Sequence, residues 1–315
     1  MTEKTSLPTS HPMIPPGIGL FIGILAVSTA SLFIRFAQQE VPSVVIAAGR
    51  MTLAALFLAP FVLTRQKTEL RQITRKEWLL LSLGGIFLGF HFASWITSLE
   101  FTTVASSVVL VTTAPLWVAL LSPLILKEKL TRWIFVGLAV SLIGSVIVGV
   151  SGNCTITQGD IVCTGVKEMF SGRHFLGNFL ALSGAFLSAG YLMVGRKVRN
   201  SLNLSTYTFI VYSVAALVLM LIVLITGKAV MGYSPVNYLW ILMLAIVPQL
   251  IGHSAFNWAL KYLSAAFVSV ALLGEPVGTV ILAFLFLREI PNRMELFGGI
   301  LILVGIVIAT RKKQD

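Results

Sequence analysis

At 315 residues, with 57% hydrophobic residues, only 11% charged residues and a mean hydropathy of +0.92, the chain is excluded from the soluble globular class, where about a quarter of residues are charged. Its net charge of +11 does not mark a nucleic-acid binder, because the basic residues fall in short clusters between apolar runs, without interleaved aromatics. The sequence is read as an all-α integral membrane protein with the lipid bilayer as its surroundings.

Residues 1–16 contain Pro8, Pro12, Pro15 and Pro16 and no apolar core, and are expected to form a disordered cytoplasmic tail. The run 17–37 is too long for a cleaved signal and has no clear small-residue cleavage site, so it is expected to be a retained helix. Further spanning-length runs follow at 42–64, 78–99, 102–126, 132–150, 175–195, 205–227, 237–259, 264–287 and 294–310, which makes ten candidate transmembrane helices. Most connections are a few residues long, so successive helices are expected to be antiparallel neighbours. Of the longer ones, 151–174 holds Cys154 and Cys163, a disulfide candidate with two unrelated thiols as the alternative. That neighbourhood lacks the further Cys or His of a tetrahedral site, so no metal is expected there.

Lysine and arginine set the orientation. With the N-terminus inside, the cytoplasmic loops receive Arg65 to Lys76, Lys127, Lys129, Arg132, Arg196, Lys197, Arg199, Lys261 and Arg311 to Lys313. The outer loops keep Lys167, Arg173, Lys228, Arg288 and Arg293. Both termini are therefore expected in the cytoplasm of a multi-pass protein of the plasma or inner membrane, and the cysteine loop faces outward.

Residues 102–148 recur, without a gap, at 263–309, at a constant offset of 161. Pro115 meets Pro276, Glu128 meets Glu289, Arg132 meets Arg293, Gly137 meets Gly298 and Gly144 meets Gly305. Chance apolar composition rarely aligns Pro, Glu, Arg and two Gly together. The repeat divides the chain into a first five-helix unit at 17–150, an outward loop at 151–174, a second unit at 175–310 and a cytoplasmic tail at 311–315. An odd number of crossings per unit turns the second unit upside down relative to the first.

The stretches APLWVALLSPLILKEKLTRWIFVGLAVSLIGSVIVG and LLGEPVGTVILAFLFLREIPNRMELFGGILILVGIVIA, with ten helices in two similar halves, resemble the EamA-type branch of the drug/metabolite transporter superfamily over about residues 18–310. The resemblance implies a carrier with a central cavity between helices 1–4 and 6–9, helices 5 and 10 at the periphery, and a small metabolite as cargo, often moved outward. The halves differ at Ala114 against Glu275 and at Thr113 against Gly274, so they are not expected to contribute equally to a site.

Polar residues at membrane depth are the candidate site, since a charge at the bilayer centre costs about 2.5–3.5 kcal/mol even on insertion scales. Glu275 lies midway along its helix beside Pro276, which removes a donor for the carbonyl of Leu272; it is a candidate to take a proton or bind a cation. Arg50, too deep to reach water, is its candidate counter-charge. Gln249, His253 and Asn257 follow at steps of four on one helix, and His91 precedes Trp95 by the same step. Trp95, Tyr191 and Trp117 are candidates to stack on a substrate. Pro115 and Pro276 are candidate hinges.

No GxxxxGK[ST] or HExxH sequence occurs, which points away from ATP-driven transport and metalloprotease chemistry. The sequence is read as a secondary carrier, not an enzyme, exporting a small organic or drug-like compound without a cofactor. Protons are the candidate coupling ion and a homodimer a further candidate assembly. A channel or non-transporting sensor is the alternative.

Overall fold

The computed structural model describes residues 14–102, 104–150, 154–157, 160–163, 172–282, 284–285, 290–291 and 293–311. Eight helical segments in it are long and apolar enough to cross a membrane: α1 (Pro16–Ala37), α2 (Ser43–Arg65), α3 (Arg75–Phe101), α4 (Ser107–Ile125), α6 (Gly172–Val198), α7 (Leu204–Thr226), α8 (Pro235–Ala259) and α9 (Ala265–Leu282). Two shorter apolar helices, α5 (Arg132–Val150) and α10 (Arg293–Ala309), occupy corresponding places at the ends of the two halves. Leu120 and Leu124 of α4 and Leu217, Leu221 and Leu224 of α7 lie exposed on the outside. Large apolar side chains so displayed suit lipid rather than water.

Within 151–174, expected to be an outward-facing loop, the described residues form a two-stranded antiparallel hairpin, β1 (Cys154–Thr157) and β2 (Asp160–Cys163), whose register sets Cys154 opposite Cys163. The cysteine side chains lie outside the described residues, as does most of the segment expected to be the N-terminal tail.

Several helices are broken where the sequence weakens the i to i−4 ladder. In α4 a turn at Thr112–Thr113 precedes Pro115, and in α9 a turn at Leu273–Gly274 precedes Pro276, so the two interruptions fall at the same place in the repeat. Thr112 and Thr113 return their hydroxyls to Val109 and Leu110 carbonyls at 2.9 and 2.6 Å, taking up acceptors the broken turn would strand. In α1 the break is at Ser28–Thr29, and in α8 a π-helical segment, Ala245–His253, surrounds Pro248.

The halves pack with two-fold logic. The pairs α2 with α7, α4 with α9 and α5 with α10 join counterparts directly; α3 on α6 is matched by α8 on α1, and α4 on α6 by α9 on α1. Contacts between α5 and α10 run in opposite directions along the two helices: Gly137 meets Gly305 and Gly144 meets Gly298. A Cβ on Gly144 would stand 2.5 Å from the Gly298 carbonyl oxygen and one on Gly298 2.7 Å from that of Gly144, so only glycine permits this approach. Gly298 and Gly305 thus serve packing within the chain.

Carboxylates tie the helix ends together. Glu77 and Thr74 close a capping box at the start of α3. Glu100 accepts from the backbone N–H of Ser43 at 3.1 Å, Glu69 from that of Asn203 at 2.8 Å and Glu40 from that of Ser234 at 3.0 Å. Each acid sits at the N-terminus of a neighbouring helix, where unpaired N–H groups and the helix dipole favour negative charge.

Candidate functional site

A cavity lies among α1, α2, α3, α4, α6, α8 and α9, with Arg50, His91, Trp95, Pro115, Tyr191, His253 and Glu275 on its wall. It therefore gathers most of the polar residues singled out at membrane depth. Gln249 and Asn257 stand behind the wall, and Trp117 packs edge-on against Phe186 away from it. Pro276 is buried beside Glu275 without lining the cavity.

The expected pairing of Arg50 with Glu275 is not a direct contact, although each charge acts on the other across the cavity. No ion pair joins them; Arg50 donates Nε to Gln249 Oε1 at 2.9 Å and lays its guanidinium over the Phe92 ring, with Cζ 4.2 Å from the centroid. Arg50 is 0% exposed, and its two Nη atoms have no hydrogen-bond partner. Gln249 holds this position because it belongs to the π-helical segment, whose backbone is itself gripped: Tyr212 donates its hydroxyl to the Gln249 carbonyl at 3.4 Å.

Glu275 is half-buried and opens α9's second part. Its backbone carbonyl receives Ser28 Oγ at 2.9 Å and Thr279 Oγ1 at 3.1 Å, tying the broken point of α9 to the broken point of α1. Among the described residues its carboxylate has no hydrogen bond or close ion pair, and it is presented to the cavity within the electrostatic reach of Arg50.

The rest of the wall is aromatic. His91 lies 6.0 Å from Trp95 in a stacked arrangement, and His253 meets Phe92 edge-on at 5.4 Å. His91 Nδ1 lies 2.9 Å from the carbonyl of Gly184; a carbonyl only accepts, so Nδ1 carries the proton and Nε2 is the ring's acceptor. Asn257 donates to the Tyr191 hydroxyl at 2.5 Å and so fixes that ring from behind.

The steps of four from Gln249 to Asn257 predict one shared face, yet only His253 reaches the cavity. Gln249 and His253 both lie in the π segment, which has more than 3.6 residues per turn, so the step of four between them does not stack as it does on an α-helix, whereas Asn257, in the α-helical stretch beyond, is drawn to the Tyr191 hydroxyl. Residues that the sequence did not single out complete the site: Phe92 under Arg50, Tyr212 behind Gln249, and Ser188 and Ser269 on the wall. Nothing in their local sequence separates them from other helix-packing residues.

At one end of the bundle Arg196 of α6 donates to Glu128, after α4, at 2.7 Å, and to the Leu260 carbonyl, after α8, at 2.8 Å. Arg199 donates Nε to the Asn257 carbonyl at 3.0 Å and also reaches the Leu202 carbonyl. Four helix ends are clasped by these two arginines. The offset of 161 maps Arg196 onto Arg35, which is exposed, and Glu128 onto Glu289, which lies outside the described residues.

Comparisons with known proteins agree with this architecture. A family model described as the EamA-like transporter family matches twice, at residues 16–150 and 175–311. An uncharacterized transporter of Archaeoglobus fulgidus is 26% identical over 288 residues, covering 90% of this chain and 93% of its own. Solute carrier family 35 member G1 of Mus musculus is 23% identical over 307 residues, covering 95% of this chain and 79% of its own. A protein crystal structure with 20% sequence identity superposes with a TM-score of 0.73 over 94% of this chain and 96% of that one, a likeness of fold.

Proposed function

The chain belongs to the EamA-like transporter family, a multi-pass membrane transporter, and on that premise we propose that it is a secondary carrier that exports a small organic compound by alternating access, coupled to protons. In this reading all ten helices cross the membrane, α5 and α10 included, and both termini are cytoplasmic. The antiparallel contact of α5 with α10, two helices that are counterparts in the repeat, supports the inverted arrangement of the halves.

The observation that carries the reading is the inequality of the two ends. Two halves related by a two-fold have the same means of closing either end, yet among the described residues an arginine–carboxylate pair closes one end, while at the other Glu40 holds the start of α8 through Ser234 and Arg35 stays exposed. The Arg196–Glu128 pair and the contact of α6 with the start of α9 close the end assigned to the cytoplasm. The counterpart contact, α1 with the start of α4, is less developed among the described residues, and Arg35 is exposed. Exchanging the arrangements of the halves would open the clasped end and close the other, about hinges at the breaks before Pro115 and Pro276.

Glu275 is the proposed proton carrier, because its carboxylate faces the cavity unpaired beside the charge of Arg50 and the rings of His91, His253 and Tyr191. In reconstituted vesicles, flux should respond to an imposed pH gradient. Glu275→Gln should retain exchange of substrate for substrate while losing that response. Flux that ignores the gradient would remove the proton from this reading.

A further inference from the structure

Trp117, which the central cavity does not use, marks a second hollow on the outside of the bundle. A cleft of about 230 Å³ runs between α3, α4 and α6, and Leu83, Ile125 and Phe186 lie exposed along it. One wall is a stripe of helical spacing on α3, Leu80, Leu83 and Phe87; the other runs along α6 from Phe186 through Gly190. A Cβ on Gly190 would stand 2.9 Å from the Phe87 ring, so glycine lets that ring lie against α6.

The cleft has one closed end and one open end. Trp117, four residues before Leu121 on α4, meets Phe186 edge-on at 5.4 Å and closes the inner end. Lys197 lines the mouth, at the end assigned to the cytoplasm, and Lys76 continues the α3 stripe four residues before Leu80. Both lysines are exposed. Among the described residues the acids of this end are committed elsewhere: Glu128 to Arg196, Glu77 to Thr74 and Glu69 to the N–H of Asn203. From Phe186 to Lys197 the α6 stripe is about 16 Å long, near half of a hydrocarbon core of roughly 30 Å, so the cleft is one leaflet deep.

An apolar slot of this depth with positive charge at its mouth matches a molecule with a hydrocarbon chain and an anionic head. A neutral lipid would fill the slot and leave the lysines unanswered; a free phosphate would answer the lysines and leave the slot open. We propose that the cleft holds an anionic glycerophospholipid of the cytoplasmic leaflet, with one chain end against Trp117 and the phosphate at Lys76 and Lys197.

The position gives this lipid a regulatory role, which rests on the carrier reading. The cleft lies over the contact of α4, from the first half, with α6, from the second, at the end where Arg196 pairs with Glu128. A chain touching both helices holds them as they stand in the clasped arrangement, and parting α4 from α6 dismantles its site. The lipid therefore favours the clasped arrangement by as much as it binds that arrangement better.

The test uses the full chain in phosphatidylcholine vesicles, with phosphatidylglycerol brominated near the end of one acyl chain added in increasing proportion. Bromine quenches an indole that it touches, so the difference in fluorescence between the parent and Trp117→Phe reports the inner end of the cleft alone. Half of that difference should be lost at a proportion about twentyfold below that needed with equally brominated phosphatidylcholine. Lys76→Gln and Lys197→Gln should each remove about fivefold of this preference, the worth of one basic residue at a membrane surface. Glycerol 3-phosphate, a head without chains, should not displace the brominated lipid. Equal quenching by the two lipids, a preference that survives both lysine substitutions, or displacement by glycerol 3-phosphate would overturn the lipid assignment. Labelling of a Ser188→Cys thiol in the central cavity judges the regulatory role separately. Phosphatidylglycerol should shift labelling toward the outside in the parent and not in the protein with both lysines replaced. An unmoved ratio at a thiol that alternates between faces overturns the regulation; a thiol open to both faces at once overturns the carrier reading and the regulation with it, leaving the lipid site standing on the quenching.

Discussion

Ser141 of α5 donates its hydroxyl to the backbone carbonyl of Ile302 in α10 at 3.2 Å, and 302 is the position that 141 becomes in the second repeat. A residue touching its own counterpart lies on the axis that relates the halves. Gly137 with Gly305 on one side of it and Gly144 with Gly298 on the other are exchanged by the same rotation. This seam is built for backbone approach, so Gly144→Leu should lower stability by at least about 1–3 kcal/mol, the usual cost of overpacking. Ser141→Ala, which removes one membrane-buried hydrogen bond, should cost about 0.6 kcal/mol. Thermal unfolding in detergent distinguishes the two.

Gln249→Leu removes the acceptor of Arg50 Nε and leaves a third donor of a buried guanidinium unpaired. A loss of about 1–3 kcal/mol in stability is expected, together with weaker substrate binding as the guanidinium swings from its seat on Phe92. Gln249→Glu, which supplies an acceptor again, should recover part of the stability but not the binding, since the new charge competes for Arg50.

How far the sequence reveals these features differs from place to place. The seam and the paired breaks are visible in it because they depend on glycine and proline, whose backbone effects are local and recur at the same offset. The partner of Arg50 is not visible, because it depends on the π segment: helical stepping from His253 predicts Gln249 in the cavity, whereas the widened turn puts it behind Arg50. Electrostatic reasoning alone pairs Arg50 with Glu275, since it sees opposite charges and not the space between them. The hairpin at Cys154–Thr157 and Asp160–Cys163 is hidden for another reason, its strands being only four residues each, too short for a periodic signal.

Glu128→Gln should loosen the clasped end. The pair with Arg196 is partly exposed, with side chains 13% and 25% accessible, so its loss is expected to shift the equilibrium between the two arrangements by about 1 kcal/mol, roughly fivefold in population. Hydrogen exchange of the 126–132 and 259–265 connections should increase in the variant, and that of the 228–235 connection should fall.

Glu40 provides a pH-dependent link at the opposite end. The Ser234 backbone N–H, followed by its hydroxyl, holds the Glu40 carboxyl below its ordinary value of 4.5. Because the folded-state value is depressed, the contact stabilises fully above 4.5 and is lost as pH falls through the folded value. Glu40→Gln should therefore unfold at a lower temperature than the parent at pH 7, and the gap should close on acidification.

The most direct measurement of the central claim is the accessibility of one thiol, Ser188→Cys, on the cavity wall, in protein whose Cys154 and Cys163 are replaced by serine and which is reconstituted in vesicles of known orientation. With the Arg196–Glu128 clasp intact, a membrane-impermeant reagent should label the thiol from the outside; with Glu128→Gln, labelling should rise from the cytoplasmic side and fall from the outside, the ratio of the two shifting about fivefold. Labelling from both sides at once, unchanged by the substitution, would contradict two halves that exchange places and would describe an open pore instead.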